Sequence, residues 1–345
     1  MKNTTSRILI ETVVRKTLKN IKDSPERSIR NLIDMALNFS NGRFQYEFFK
    51  IAKTMLKNEN SPYYDLIKDI AANSDSERIL KFGMNIGYNS CTLGAKKIRE
   101  TEIEEGYNIP WTVYLTINSK MKLKELKRIN QIMSQGETLG IYTWMIFCEK
   151  GSESVMALAK RHPESAIILF CDARQADDSF CGSVSNLKNI MPVIKNNEYV
   201  SDMCGKLRDM QIPFSIYDFY TDENVEYITS GDIFSDTEQL HPVLTAVIPD
   251  KNCSDETISR VGESVKKVRD EQLYQTIAWD ALNDTDRIDC IISDDSCMVA
   301  FDENGELLNK YKSEENEASC RSNIFKQDLT DILKENFPKG GTIII

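Results

Sequence analysis

Three acidic residues stand where a protein built of strands and helices in alternation keeps its chemistry. Glu149, Asp172 and Asp218 each follow or end a short β-like run, in Ile141–Phe147, Ala166–Phe170 and Phe214–Phe219. In a barrel of parallel strands, ligand-handling groups collect at the strand C-terminal ends. Three carboxylates at one mouth could hold an amine or transfer a proton. The plainer role open to them is that of solvated loop acids or helix caps, with Arg174 as a neutralising neighbour.

Cys91 is the other candidate. It lies in Ile79–Arg99, ILKFGMNIGYNSCTLGAKKIR, which reads as an apolar run, a Gly-rich turn and a basic helix start. A helix over Thr92–Glu100 would put the thiol at a helix N-terminus, where thiol pKa values fall. No histidine is close in sequence to serve as its base, and a small half-buried thiol in a turn fits the position equally. Gly83, Gly87 and Gly94 suit a strand-to-helix turn whose amides could meet an anion beside Lys96, Lys97 and Arg99. Their spacing matches neither a P-loop nor a dinucleotide-binding fingerprint.

The chain has nine cysteines and two histidines, with no C-x-x-C. Scattered cysteines of this kind read as free thiols rather than a disulfide framework, and a structural zinc site is not expected. His162-Pro163 and His241-Pro242 read as helix-end or strand-start punctuation. Trp111, Trp144 and Trp279 read as core or rim residues rather than a stacking platform.

The elements that must position these residues follow from the hydrophobic rhythm. Residues 1–75 read as helical. Ser24-Pro25-Glu26 is a helix start, with Ile29, Leu32, Ile33, Ala36 and Leu37 at helical spacing and Asn41-Gly42 as a left-handed end. Phe44, Phe48, Phe49, Ala52, Met55 and Leu56 form a second apolar face.

From about residue 79 β-like runs alternate with helical stripes. The runs are Ile79–Ile86, Thr112–Ile117, Ile141–Phe147, Ala166–Phe170, Phe214–Phe219 and Val243–Ile248. The stripes are Leu126, Ile129, Met133; Val155, Leu158, Ala159; Val200, Met203, Leu207, Met210; and Ile258, Val261, Val265, Val268. Such alternation implies a parallel sheet, and periodicity alone does not choose between an open barrel and a doubly wound sheet. After about residue 286, Ile288–Phe301 and Glu306–Tyr311 flank Asp302-Glu303-Asn304-Gly305, a hairpin signal. A last helix near Ile324–Glu335 and a tail at Thr342–Ile345 follow.

Composition bounds the function classes. The chain of 345 residues has room for one large domain or a barrel with appendages. A net charge of −10 speaks against nonspecific nucleic-acid binding, which needs Lys and Arg on phosphates. No apolar run approaches the ~20 residues that span a bilayer. The opening MKNTTSRILIETVVRKTLKN lacks a signal-peptide core, so a cytoplasmic location is expected.

Several segments, in order, resemble a radical S-adenosylmethionine (radical SAM) subfamily with a C-terminal cysteine-bearing extension. Gly140–Ser154 resembles a strand followed by that family's G-G-E-P turn. Met156–Asp178 resembles a helix, His-Pro and a strand ending in F-T-N-G-T. Asn186–Asn197 resembles the next strand-like connection, and Met210–Asp236 a strand with the N-V-E-Y-x-T-S segment after it. HPVLTAVIPD falls where a further core strand belongs, and Asp289–Tyr311 resembles the hairpin opening the extension. The resemblance spans roughly residues 79–335.

The departures bear on chemistry. The family's first turn carries C-x-x-x-C-x-x-C for a [4Fe–4S] cluster, which needs three thiolates on one tight loop. In the stretch that resembles it, this chain has Cys91 alone. Phe147-Cys148-Glu149 replaces Gly-Gly-Glu, so only Glu149 matches the family's acid, which contacts the methionine amino group. Asp172 sits where the family has asparagine. In the extension, Cys290, Cys297 and Cys320 are the only candidates for clustered cysteines. Their spacing is long, and Cys297 precedes the turn instead of following it.

The resemblance implies an α/β fold: a partial (βα)6 TIM-like barrel over 79–285, an N-terminal helical region over 1–75 and a C-terminal hairpin and helix extension over 286–345. The favoured function is a degenerate barrel without its [4Fe–4S] cluster, acting as a binding or partner protein toward a peptide or another protein, with no nucleic acid and no membrane. The site expectation is Glu149, Asp172 and Asp218 as cofactor-binding residues and Cys91 as a metal ligand. The alternative is a radical SAM enzyme that cleaves S-adenosylmethionine, its cluster assembled from Cys91 and a distant Cys148 or Cys171. S-adenosylmethionine and the cluster are cofactors only under that alternative. A third reading is a structural protein whose mouth is filled by Trp144, Phe147 and Phe170.

Overall fold

The computed structural model describes residues 5–21, 23–40, 42–148, 150–175, 177–308 and 322–339. Five helices open the chain: α1 (Thr5–Asn20), α2 (Pro25–Phe39), α3 (Arg43–Met55), α4 (Pro62–Asn73) and α5 (Ser76–Gly83). Pro25 stands at the start of α2 as the sequence implies. Gly42 does not end that helix in a left-handed turn: its φ is −115°, and it caps the start of α3.

The expected strand at Ile79–Ile86 is helical. α5 runs into a π-helical segment, Met84–Gly94, which runs into α6 (Ala95–Glu105). Buried amides explain why this segment holds its place. Asn85 Nδ2 donates to the carbonyls of Pro163 and Ser165, at 3.0 and 2.9 Å, and Asn89 Nδ2 to that of Glu164, at 2.8 Å. Buried polar groups require such partners. The Ser165 carbonyl accepts from Asn189 Nδ2 as well, at 3.1 Å.

Strands and helices then alternate. The order is β1 (Thr112–Thr116), α7 (Leu123–Leu139), β2 (Thr143–Phe147), α8 (Ser152–Arg161), β3 (Ala166–Cys171), α9 (Asp178–Ser185), β4 (Ile190–Lys195), α10 (Val200–Asp209) and β5 (Ser215–Tyr220). The short helices α11 (Val225–Thr229) and α12 (Asp232–Glu238) lead to β6 (Leu244–Pro249), α13 (Asp255–Glu271), β7 (Ile277–Asp280) and α14 (Asn283–Ser293). Last come β8 (Val299–Phe301) and α15 (Leu329–Asn336). Each helical stripe expected from the sequence lies on one of these helices, apart from Leu56 and Met210, which follow the ends of α3 and α10.

The sheet runs β7-β6-β5-β4-β3-β2-β1-β8, and every pair is parallel. From β1 to β7 the spatial order is the sequence order. Right-handed crossovers that always advance in one direction put their helices on one face. The result is a curled half-barrel with a helix-covered outer face, not a doubly wound sheet. Among the described residues it has eight strands where six βα units were expected: β4 was seen only as a strand-like connection, and β7 and the pairing of β8 with β1 were not anticipated.

Face assignment follows from alternation along each strand. Trp144 is fully buried and meets α7 at Gly136, where a Cβ would lie 2.6 Å from the indole. Trp144 therefore marks the helix-covered face, and Thr143, Met145 and Phe147 face the inside of the half-barrel.

α14 ties the two sides of the opening together. It follows β7, yet its residues bond to the β1 end of the sheet. Trp111 N–H donates to Asp289 Oδ1 at 2.9 Å, and Trp111 Nε1 to the Thr285 carbonyl at 3.2 Å. The Tyr114 and Thr285 hydroxyls share a hydrogen bond at 2.8 Å.

The hairpin expected after residue 286 is present over a shorter span. Phe301 and Leu307 form an antiparallel bridge across a turn in which Gly305 has φ +75°. Asp302 Oδ1 accepts from the amides of Asn304 and Glu306, at 2.9 and 2.8 Å. Ile288–Ser293, however, belongs to α14, and Val299–Phe301 pairs in parallel with β1. Asn309–Tyr311, Cys320 and Thr342–Ile345 lie outside the described residues. Among the described residues, no helix is long and apolar enough to cross a membrane.

Candidate functional site

Five aromatic rings meet on the inner face, near the strand C-terminal ends. Phe147 stacks on Phe170 with centroids 4.4 Å apart and planes 12° from parallel. Tyr217 packs edge-on against Phe170 at 5.3 Å, and Phe219 against Tyr217 at 5.6 Å. Tyr114 lies 6.4 Å from Phe147. The register brings these residues together: Phe147 pairs with Phe170, and Lys195 with Tyr217. Lys195 sits with Nζ 5.5 Å from the Phe219 ring centre, a cation–π distance. Phe170 and Tyr217 are buried, whereas Tyr114, Phe147, Phe219 and Lys195 keep part of their surface open.

Of the expected site residues, Asp172 is at this mouth, just past the end of β3. It is buried, and its carboxylate is fully engaged. Arg174 Nε lies 3.0 Å from Oδ1 and Nη2 2.5 Å from Oδ2, with the Arg174 amide at 2.8 Å and Asn197 Nδ2 at 3.2 Å. The Arg174 guanidinium beside it holds this carboxyl down at about 2. Arg174 neutralises Asp172, one of the two roles open from sequence.

Asp218 alternates with Tyr217 and Phe219 and pairs with Val247, a core residue on the helix side. It therefore faces the outer layer, where Asn196 Nδ2 donates to it at 3.1 Å. Burial pushes its pKa above the ordinary carboxylate value. Glu149 lies outside the described residues.

Cys91 is at the far end of the strands. Its π-helical segment packs beneath the start of β2, where the Thr143 hydroxyl donates to Ser90 Oγ at 3.0 Å, and beneath the start of β3 through Asn85 and Asn89. Cys148 and Cys171 lie at the opposite ends of β2 and β3. The five residues of β2 alone span about 13 Å at ~3.3 Å per residue. Burial pushes the Cys91 thiol up to about 12. The helix runs through residue 91 instead of starting after it, so no N-terminal dipole lowers that pKa.

Cys148 and Cys171 alternate with Phe147 and Phe170. Their thiols point into the helix-covered core, where both are buried. Burial raises the Cys171 thiol well above its ordinary value. A [4Fe–4S] cluster is held by cysteine thiolates that converge on it. The first sheet strand is followed by Ile117-Asn118-Ser119-Lys120-Met121-Lys122, which has no cysteine. Among the described residues, no three Cys, His, Asp or Glu side chains group to hold a metal ion. The described donors do not fit such a cluster.

Sequence reasoning missed Tyr114, Lys195, Tyr217 and Phe219. The signal was present as period-2 aromatic positions, Tyr217 and Phe219 on one strand and Phe147 and Phe170 on two others. Which face they shared depended on the sheet. His162 and His241 are punctuation, as expected. His162 follows α8, with Nδ1 3.1 Å from Glu137, and His241 turns the chain toward β6 with φ +59°. Trp111 and Trp144 are buried and Trp279 is partly open.

The class defined by this geometry is a curled half-barrel of parallel strands with its helices outside. Two solved structures share it. SuiB from Streptococcus suis, bound to S-adenosylmethionine, matches with a TM-score of 0.53 and 12% identity, over 90% of this chain and 82% of that one. A second crystal structure of Streptococcus suis SuiB matches with a TM-score of 0.50 and 13% identity over the same shares. At such identity the likeness shows the fold alone. No protein-family model matches the chain, and no curated protein does.

Proposed function

We propose that this chain is a radical-SAM-like half-barrel without a [4Fe–4S] cluster or radical chemistry, and that it binds a peptide or protein partner through its mouth. The observation that carries the reading is the Phe147–Phe170 stack at the strand ends, with Cys91 at the opposite end of the same sheet. Cluster ligands would have to converge at the mouth. Aromatic rings occupy it instead, of which Tyr114, Phe147 and Phe219 keep part of their surface open, with Lys195 beside them.

Such a surface suits side chains of a partner. Rigid aromatic groups supply large contact area at small entropic loss, and they dominate protein interfaces for that reason. Asp172 is saturated by Arg174, so it offers no free carboxylate to a substrate amine. The likeness to a SAM-bound protein leaves S-adenosylmethionine binding as a measurable second property, separate from its cleavage.

The test starts with anaerobic purification and reconstitution with iron and sulfide. The expected product is colourless and holds far less than one cluster per chain. Near-stoichiometric four-iron loading that disappears in Cys148→Ser or Cys171→Ser would sink the proposal. The binding half is tested by capture on wild-type and Phe147→Ala chains. A partner held by the first and lost by the second is expected, and no difference between the two counts against the mouth as the binding surface.

A further inference from the structure

A cavity of about 390 Å³ opens well away from the mouth, beside the N-terminal ends of β3 and β4. Its walls are α1, α5, the end of α8 and the connection from α9 to β4. The volume falls within the ~300–1,000 Å³ of small-molecule sites.

The lining inverts the charge of the protein. Arg7, Arg15, Lys81, Lys160 and Lys188 face the cavity, against two acids, Glu11 and Glu77. The chain as a whole carries −10. Both acids are spent on one cation: Arg15 pairs with Glu77 and, at 3.3 Å, with Glu11. A single carboxylate, Glu164, meets two further cations, Arg7 at 2.7 Å and Lys81 at 2.8 Å. Lys160 makes no ion pair among the described residues, and the carboxylate paired with Lys188 is Asp75, at 3.7 Å. With Glu164 and Asp75 counted, five cations meet four carboxylates, and the positive charge in excess is that of Lys160 on α8. Arg7 is only 8% exposed, so part of the cationic lining is withdrawn from water. A cleft with one dominant sign and low-dielectric walls focuses its field on an entering ion.

Between the cations lies an apolar floor of Leu80, Met84 and Leu187. An inorganic anion would leave that floor uncovered. An apolar molecule without charge would leave the cations unmet. We propose that the cavity binds a small organic anion, one phosphate or carboxylate group on a compact apolar body. The anionic group meets Lys160 and Lys188, with Arg7 and Lys81 behind, and the body covers Leu80 and Met84. The proposal is independent of what the mouth binds.

The probes are phenyl phosphate, benzoate and neutral phenol, followed by ligand-observed NMR and calorimetry at low salt. Phenyl phosphate, benzoate or both should bind in the millimolar range or tighter, weaken with added salt, and outcompete phenol. Which of the two binds more tightly separates a phosphate from a carboxylate source. The double variant Lys160→Ala, Lys188→Ala removes two exposed side chains and should fold as wild type does, checked by its melting curve. It should bind at least about tenfold more weakly, a loss of ~1.4 kcal/mol. Lys96→Ala, an exposed lysine on α6 remote from the cavity, should bind as wild type does. Absence of binding by both anions, binding equal to that of phenol, or equal affinity in the double variant would overturn the proposal.

Discussion

Arg174 grips Asp172 through both carboxylate oxygens, Nε to Oδ1 at 3.0 Å and Nη2 to Oδ2 at 2.5 Å. Arg174 is largely open to solvent while Asp172 is buried, so the clasp seals the end of β3 without placing the guanidinium inside. It also sets how the protein responds to acid. The native carboxyl is held at about 2, below its ordinary value of 3.8. A depressed native pKa stabilises the fold while the unfolded carboxylate is still ionised, and that contribution is lost as the native group protonates. Asp172→Asn should therefore be less stable than wild type at neutral pH. The gap should be full above the usual carboxylate range, narrow as pH falls through it, and close near pH 2. Urea melts of both proteins across this range check the trend, and a gap independent of pH would contradict it.

Gly94 should tolerate no side chain. A Cβ there would collide with the Gly140 carbonyl and come within 2.9 Å of the Asn89 carbonyl. Both obstacles are backbone, so neither can swing aside. Gly94→Ala should destabilise by about 2–3 kcal/mol, the range for overpacking at a close approach. Gly87→Ala, with nothing near its Cβ, is the matched control and should lose no stability in the same urea titration.

Arg78 is a buried guanidinium that serves carbonyls rather than a carboxylate. It is 2% exposed and donates to the Val184 and Ser185 carbonyls, each at 3.0 Å, and to that of Leu187. It thereby pins the end of α9 to α5. Arg78→Met keeps much of the volume but takes a charged donor from three carbonyls, of which Val184 keeps the Leu187 amide at 3.0 Å, and should destabilise by about 3 kcal/mol. Hydrogen exchange would show the loss concentrated at residues 184–188. A uniform loss across the sheet would mean the contact acts differently.

Cys91 should resist alkylation. Only the thiolate attacks iodoacetamide, and burial keeps this thiol protonated, at about 12. Peptide mass mapping after brief labelling at pH 7.5 should find Cys91, Cys171 and Cys204 unmodified in the native protein and modified in urea. Cys91 is half-buried, so rapid native labelling there would show a thiol ionised far more readily than this raised pKa allows, with no opening of the segment required.

The strands at Thr112–Thr116, Thr143–Phe147, Ala166–Cys171, Ser215–Tyr220 and Leu244–Pro249 were legible because compact apolar runs between turn signals have few other solutions. The helices α7, α8, α10 and α13 were legible because their buried residues keep a helical period. Ile79–Ile86 looked the same to that criterion. A short apolar run before a glycine fits strand or helix, and only the carbonyls of Pro163, Glu164 and Ser165, distant in sequence, supply the partners that hold Asn85 and Asn89 in a helix. β7, four residues long, carries too little pattern to stand out. The winding of the sheet was likewise beyond the sequence, since strand order is a long-range property. The same holds for the acids. Asp172 and Asp218 both stand at strand ends, but a shift of one residue exchanges the faces of a strand. Sequence alone determined that Asp172, Asp218, Phe147 and Phe170 stand at or near strand ends. Register and curl alone decided that Asp172 meets Arg174 at the mouth, that Asp218 turns toward the helices, and that Cys91 lies beneath the opposite end of the sheet.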